Sequence, residues 1–178
     1  MPLMEALAAR SSARVFSGAP LDPQTLSDLL WAAWGINRAD KGKRTAPSAM
    51  NWQDMSVYVV RQANTSLYDA KANTLRVVVP DADLRGDTGT QDFVATAPLN
   101  LVYVSDYAKM TKASMENKAM YAGAHAGFIA QNVYLFCAAR GLATVVRASI
   151  DREVLRKKLG LRPEQHIILA QTVGAPPE

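Results

Sequence analysis

One stretch of this chain leaves little choice of structure: MENKAMYAGAHAGFIAQNVYLFCAARG, residues 115–141. It has no proline, small residues on one side and bulky ones on the others, and Gly141 at the point where a helix of about 23 residues would stop. Gly123, Ala126, Gly127 and Ala130 repeat at a spacing that fits close approach of another helix, from this chain or from a second copy. The other segments must pack around this rod. PLMEALAAR reads as a short first helix. LDPQTLSDLLWAAWG reads as a second, with Asp22 as cap, Pro23 at the first helical position and Gly35 as stop. SAMNWQDM reads as a further short helix, opened by Pro47 and Ser48. SVYVVR, SLYD and LRVVVP alternate as strands of a meander, and PLNLVYVSD is apolar enough for a central strand. LATVVRAS and HIILAQTVG read as two more strands, separated by the capped helix DREVLRKKLG, while DADLRGDTGTQDFVATA begins polar and turns helical near its end. Helices and strands mix without strict βαβ alternation, so the expected class is α+β.

With 178 residues, 49% of them hydrophobic, the chain suits one core, and residues 1–178 are expected to form a single domain. No run approaches the about 18 apolar residues that span a bilayer. The start lacks a basic region followed by an apolar block, so no signal peptide is read, although a leader already removed stays open. A single cysteine, Cys137, excludes an internal disulfide and a cysteine-rich metal site; a reducing cytoplasm is the default compartment. The net charge of +4 permits nucleic-acid binding, but the basic residues are scattered without interleaved aromatics, and an anionic small molecule is the more economical partner.

Most reactive motifs are missing. There is no G-x-G-x-x-G after a strand, no H-E-x-x-H, no C-x-x-C and no G-x-S-x-G. GKRT imitates the end of a phosphate-binding loop, but Asn37 stands where its first glycine belongs and Arg44 where Ser or Thr should follow the lysine. His125 and His166 have no acid pair beside them in sequence and read as packing or surface residues. Cys137 reads as core filler.

Two polar stretches stand apart. RSSARVF offers the guanidiniums of Arg10 and Arg14 with the hydroxyls of Ser11 and Ser12, a set that matches phosphate oxygens. RTAPSAMNWQ, residues 44–53, clusters amides and hydroxyls suited to a hydroxylated chain and a flat heterocycle.

On these residues the chain resembles the nitroreductase-like flavoproteins, which bind FMN. Arg10, Ser11, Ser12, Arg14 and Phe16 match the family's opening R-[RS]-S-x-R-x-F. Pro47, Ser48, Asn51 and Gln53 match P-S-x-x-N-x-Q. Gln131, Asn132, Gly141, Leu142 and Thr144 match its long helix and the G-L-x-T strand, and ILAQTVGAP its last strand. GINR followed by GKRTAPSAMNWQ looks closest to the branch that includes the azoline dehydrogenases. The resemblance implies an α+β homodimer: a mixed, mainly antiparallel sheet flanked by helices, with the long central helix at the subunit contact. It further implies FMN at that contact, its phosphate held by the RSSAR residues of one subunit while the PSAMN stretch reaches in from the other. Backbone along Thr144, Val145, Val146 and Arg147 is implied to face the flavin ring, with N–H groups from Val146 to Ala148 near it. Arg147 either stabilises the reduced flavin or is an exposed strand-end residue. Tyr107, Met110, Met115, Met120 and Tyr121 are candidates to line an acceptor pocket, with core packing the favoured reading for Met120 and Tyr121. Two departures bear on function. The basic residue that many relatives carry beyond the last strand is missing, so Arg10, Arg14 or Arg147 must carry more of the phosphate charge. Residues 81–98 are also short where longer members place a lid.

The implied activity is transfer of electrons from NAD(P)H to a quinone, nitroaromatic or similar acceptor in a ping-pong cycle, with the flavin as reactive group, no catalytic protein residue and no metal. An azoline dehydrogenase acting on a modified peptide is the alternative; there Tyr107 with Lys109 or Lys112 would supply a proton-abstracting pair. A basic nucleic-acid-binding domain without cofactor is the third reading.

Overall fold

The structure, a computed structural model, describes residues 1–177. In chain order the helices and strands are α1 (Leu3–Ala9), α2 (Pro23–Trp34), β1 (Ile36–Arg38), β2 (Lys43–Arg44), β3 (Met55–Val60), β4 (Asn64–Asp69), β5 (Thr74–Pro80), β6 (Leu99–Asp106), α3 (Met115–Arg140), β7 (Ala143–Arg147), α4 (Arg152–Lys158) and β8 (Gln165–Gly174). β1 and β2 form a small hairpin, and the other six strands form one sheet in the order β5-β4-β3-β6-β8-β7. All its pairings are antiparallel. The expected meander is β3-β4-β5, and the apolar strand β6 is central, as its composition predicts.

Every residue of β6 is buried, because both faces of the sheet are covered. Leu99, Leu101 and Tyr103 join Leu29, Leu30 and Trp34 of α2 and Ile129 and Val133 of α3 in one core. Val102 and Val104 point the other way, into a second core with Leu155, Leu159 and Ile167. This period of two is what a strand imposes on side chains. A shift in register between Tyr103 and Val104 interrupts the pairing with β8.

The long helix is 26 residues, capped by the Ser114 hydroxyl, which accepts from the Asn117 N–H, and closed by Gly141 at φ 66°. Its small residues divide. Ala126 and Ala130 are buried inside the chain. Gly123 and Gly127 face outward, and a Cβ at either would meet nothing within 4 Å. Met120, expected to pack in the core, is instead 58% exposed on that same outward face, with Phe128.

The short helix expected over SAMNWQDM does not form. A single 3-10 turn, Ala49–Asn51, replaces it. Met50, Asn51 and Gln53 take left-handed backbone, at φ 51°, 54° and 46°, which a right-handed helix cannot contain. Between β5 and β6 the polar segment forms two short 3-10 turns, Arg85–Thr88 and Asp92–Val94.

Candidate functional site

The opening motif docks on the outer edge of β7. The Ala13 N–H donates to the Thr144 carbonyl at 2.9 Å. Ser12 Oγ lies 2.8 Å from the hydroxyl of Tyr134 on α3, and that hydroxyl accepts from the Val146 N–H at 3.0 Å. Phe16 stacks near Phe93, and the Arg10 guanidinium sits 5.3 Å from the Tyr134 ring centre. RSSAR and the strand Thr144–Arg147 therefore form one surface. Beside it opens a cleft of about 240 Å³ lined by Arg14, Gln91, Phe93 and residues 145–149. Arg14 is exposed, and among the described residues its guanidinium makes no hydrogen bond or ion pair.

Thr144 and Arg147 lie differently from expectation. Both side chains turn into the core, where Thr144 Oγ1 donates to the Thr172 carbonyl and accepts from Gln171. Arg147 is 6% exposed, so the strand-end reading does not hold. Its guanidinium donates to the Thr88 carbonyl (2.8 Å), Asn100 Oδ1 (2.9 Å) and Thr172 Oγ1 (2.9 Å), none of them a carboxylate. Burial pulls its pKa down to about 10, which still leaves it charged at neutral pH. The 81–98 segment folds around it: a Cβ on Gly89 would fall 2.0 Å from Arg147 Nη1, so a side chain there would have to displace the guanidinium. That segment is tied down by Lys158 to Asp87 and by the Thr90 N–H to the Ser149 carbonyl, and Arg85 pairs with Asp83 within it.

The second motif closes on itself. Ser48 Oγ accepts from the Gln53 N–H at 3.0 Å. The Gln53 side chain accepts from Arg44 Nε and donates to the Gly42 carbonyl and to Asn51 Oδ1. Pro47, Met50 and Asn51 are exposed at the tip. Beneath lies a buried relay. The Ala49 N–H donates to His125 Nε2 at 2.8 Å, so the ring proton resides on Nδ1, which donates to Asp54 Oδ1 at 2.7 Å. Ser105 Oγ donates to the other carboxylate oxygen at 2.6 Å. Burial opposes ionisation of Asp54, but the hydrogen bonds from His125 and Ser105 outweigh it and hold its pKa below the usual carboxylate value.

His125 is thus buried, as a packing role requires, yet both ring nitrogens are engaged. Neither its tie to Asp54 nor the role of Tyr134 could be read from spacing, since the partners are 71 and 122 positions apart. The one local hint is that Asp54 is the first acid after the polar stretch. Cys137 is core filler as expected, its thiol pushed up to about 12 by burial. Tyr107 and Met110 are buried together with Ala122, Met115 is exposed, and Tyr121 lies between Trp52 and His125.

Among the described residues, no hydrogen bond joins the two motifs within one chain. They are fastened to α3 through His125 and Tyr134, about two and a half turns apart and so on opposite flanks of the helix. The exposed stripe of Met120, Gly123, Gly127 and Phe128 runs between those flanks. Among the described residues, no helix is long and apolar enough to cross a membrane.

The nitroreductase family model matches residues 7–175. A crystal structure of a candidate nitroreductase from Ralstonia eutropha JMP134 is 41% identical with a TM-score of 0.95, covering 100% of this chain and 84% of that one. A chain of the E. coli microcin synthetase McbBCD complex, solved with truncated pro-MccB17 bound, superposes with a TM-score of 0.80 at 18% identity over 97% of this chain and 73% of that one. The NADPH:FMN oxidoreductase of Vibrio harveyi, complexed with NAD+, gives 0.72 at 20% identity over 99% and 69%. At such identities the last two show a shared fold.

Proposed function

This chain belongs to the nitroreductase family, and from that premise we propose that it is an FMN-dependent oxidoreductase acting as a homodimer. The observation that carries the reading is the docking of RSSAR against the β7 edge, which leaves the Arg14 guanidinium, unpaired among the described residues, at the mouth of a cleft. The donor set fits the cofactor. Arg14 and the exposed Ser11, with Arg10 beside them, suit a phosphate. Asn51 and the Pro47–Ser48 turn present polar groups for the ring and its hydroxylated chain. When bound, FMN supplies the redox chemistry, taking reducing equivalents from NAD(P)H and returning them to a quinone, nitroaromatic or similar acceptor in alternate half-reactions. The protein's part is positional and electrostatic. β7 provides a rigid wall, braced by the Gln171–Thr144 bond. Arg147, with no carboxylate among its partners, adds positive charge behind that wall and favours an anionic ligand in the cleft.

A second copy completes the arrangement. The motifs lie on opposite flanks of α3 with an apolar, small-residue stripe between them. Two copies meeting along that stripe would set the RSSAR surface of one beside the PSAMN loop of the other. The test is direct. Purified protein, or protein incubated with FMN, should be yellow and release FMN on heating. Anaerobic stopped-flow mixing should show bleaching by NADH or NADPH. A protein that takes up no FMN ends this reading. Bleaching by dithionite but by neither nicotinamide moves the weight to the peptide azoline dehydrogenase alternative, which the likeness to the microcin synthetase chain favours.

A further inference from the structure

We infer that His125, clamped by Asp54, is a positioning residue that holds loop 48–53 in its left-handed, ligand-ready shape; for what the loop then contacts, the inference rests on the FMN reading above. The starting point is strain. Met50, Asn51 and Gln53 all have positive φ within four positions, a backbone conformation that non-glycine residues adopt only at a cost. Such a conformation persists only where its surroundings fix it. The other fastenings are local or exposed: Ser48 to Gln53, Gln53 to Arg44, Gly42 and Asn51, and Lys109 Nζ to the Gln53 carbonyl. The Ala49 N–H to His125 Nε2 bond is the one that anchors the strained turn to a fully buried side chain.

The anchor is itself fixed. His125 on α3 and Asp54 at the entrance to β3 are 1% and 0% exposed, and Asp54 is shared with Ser105 on β6. The Asp106 N–H also donates to the Asp54 carbonyl, so the same residue is tied to β6 through backbone and side chain. Tyr121 stacks along the His125 ring at 6.2 Å and packs edge-on to Trp52 at the end of the loop. Only one tautomer satisfies all partners: Nδ1 keeps its proton and donates to Asp54, and Nε2 stays bare to accept from Ala49. The loop's shape is thereby referred to α3 and the central strand rather than to its own sequence.

His125→Leu removes the acceptor, whereas His125→Gln keeps an acceptor near the Nε2 position. Ala49→Pro deletes the donor at the first position of the 3-10 turn without touching the buried residues. Peptide-resolved hydrogen exchange without added ligand should show loop 48–53 of the Leu and Pro variants exchanging at least tenfold faster, with β3, β6 and the rest of α3 still protected. FMN titration should give at least a tenfold weaker Kd for both, with the Gln variant within a few-fold of wild type. Wild-type loop protection in the Leu and Pro variants overturns the inference, as does equal loss in the Gln and Leu variants, which would mark His125 as packing alone. The exchange readout needs no cofactor. A wild-type protein that binds no FMN therefore sinks the cofactor reading, while the exchange pattern still decides His125.

Discussion

Arg14 and Asp54 show how one side chain's surroundings set its use. Arg14 is exposed beside the cleft with no partner among the described residues, so its charge is available to a ligand. Arg14→Ala should weaken FMN binding by on the order of 1.5–3 kcal/mol, the usual worth of a hydrogen bond to a charged group, as read by fluorescence titration. Arg147 has the same side chain but has its donors occupied inside the fold. For Asp54 the consequence is a pH dependence. Its folded-state pKa lies below the ordinary aspartate value of 3.8, so its ionised form adds stability that is fully present above that value. That contribution is lost as pH falls through the lower folded value. Asp54→Asn cannot ionise and should lack this part of the acid limb. Urea melts from pH 6 down to about pH 3 should show a shallower decline than in wild type.

At the scale of the element, α3 serves as the common support. His125 fastens one motif loop to it, Tyr134 fastens the other, and Ile129, Val133 and Cys137 pack it on the sheet. Its outward stripe contributes nothing to the monomer's packing at Gly123 or Gly127, where added atoms meet open space. Gly127→Leu should therefore leave each chain folded. Removing an interior helical glycine should even add roughly 0.5–1 kcal/mol to helix stability. If the stripe is the subunit contact, the same change should shift sedimentation from dimer to monomer and weaken FMN uptake. A variant that remains dimeric would place the contact elsewhere.

For the whole molecule, the proposed division of the cofactor site between two chains would couple folding, assembly and binding. Ligand that binds only the native state stabilises it by RT ln(1 + [L]/Kd), about 2.7 kcal/mol at a hundredfold excess over Kd. Adding FMN to the protein should raise its melting temperature, and at fixed FMN the midpoint should fall on dilution as subunits separate. Differential scanning calorimetry across a tenfold range of protein concentration would read both. A midpoint that responds to FMN but not to dilution would mean each chain holds its ligand alone.

The sequence by itself determined the elements whose patterns are local: the long helix with its glycine stop, the capped α2, the meander, and a central strand apolar along its whole length. Those signals arise from neighbouring residues, so they survive without knowledge of the fold. It also showed the four motifs of the family and their polar chemistry. The tertiary structure alone decided what holds them. The SAMNWQDM segment reads as a helix because its propensities are local, yet an anchor 76 residues away fixes a left-handed turn there. Arg147 reads either as a cation serving the reduced flavin or as an exposed strand-end residue, and only the fold shows Thr88, Asn100 and Thr172 closing over it. Hydrogen bonds between distant segments have no period and no spacing, so only the folded chain reveals them.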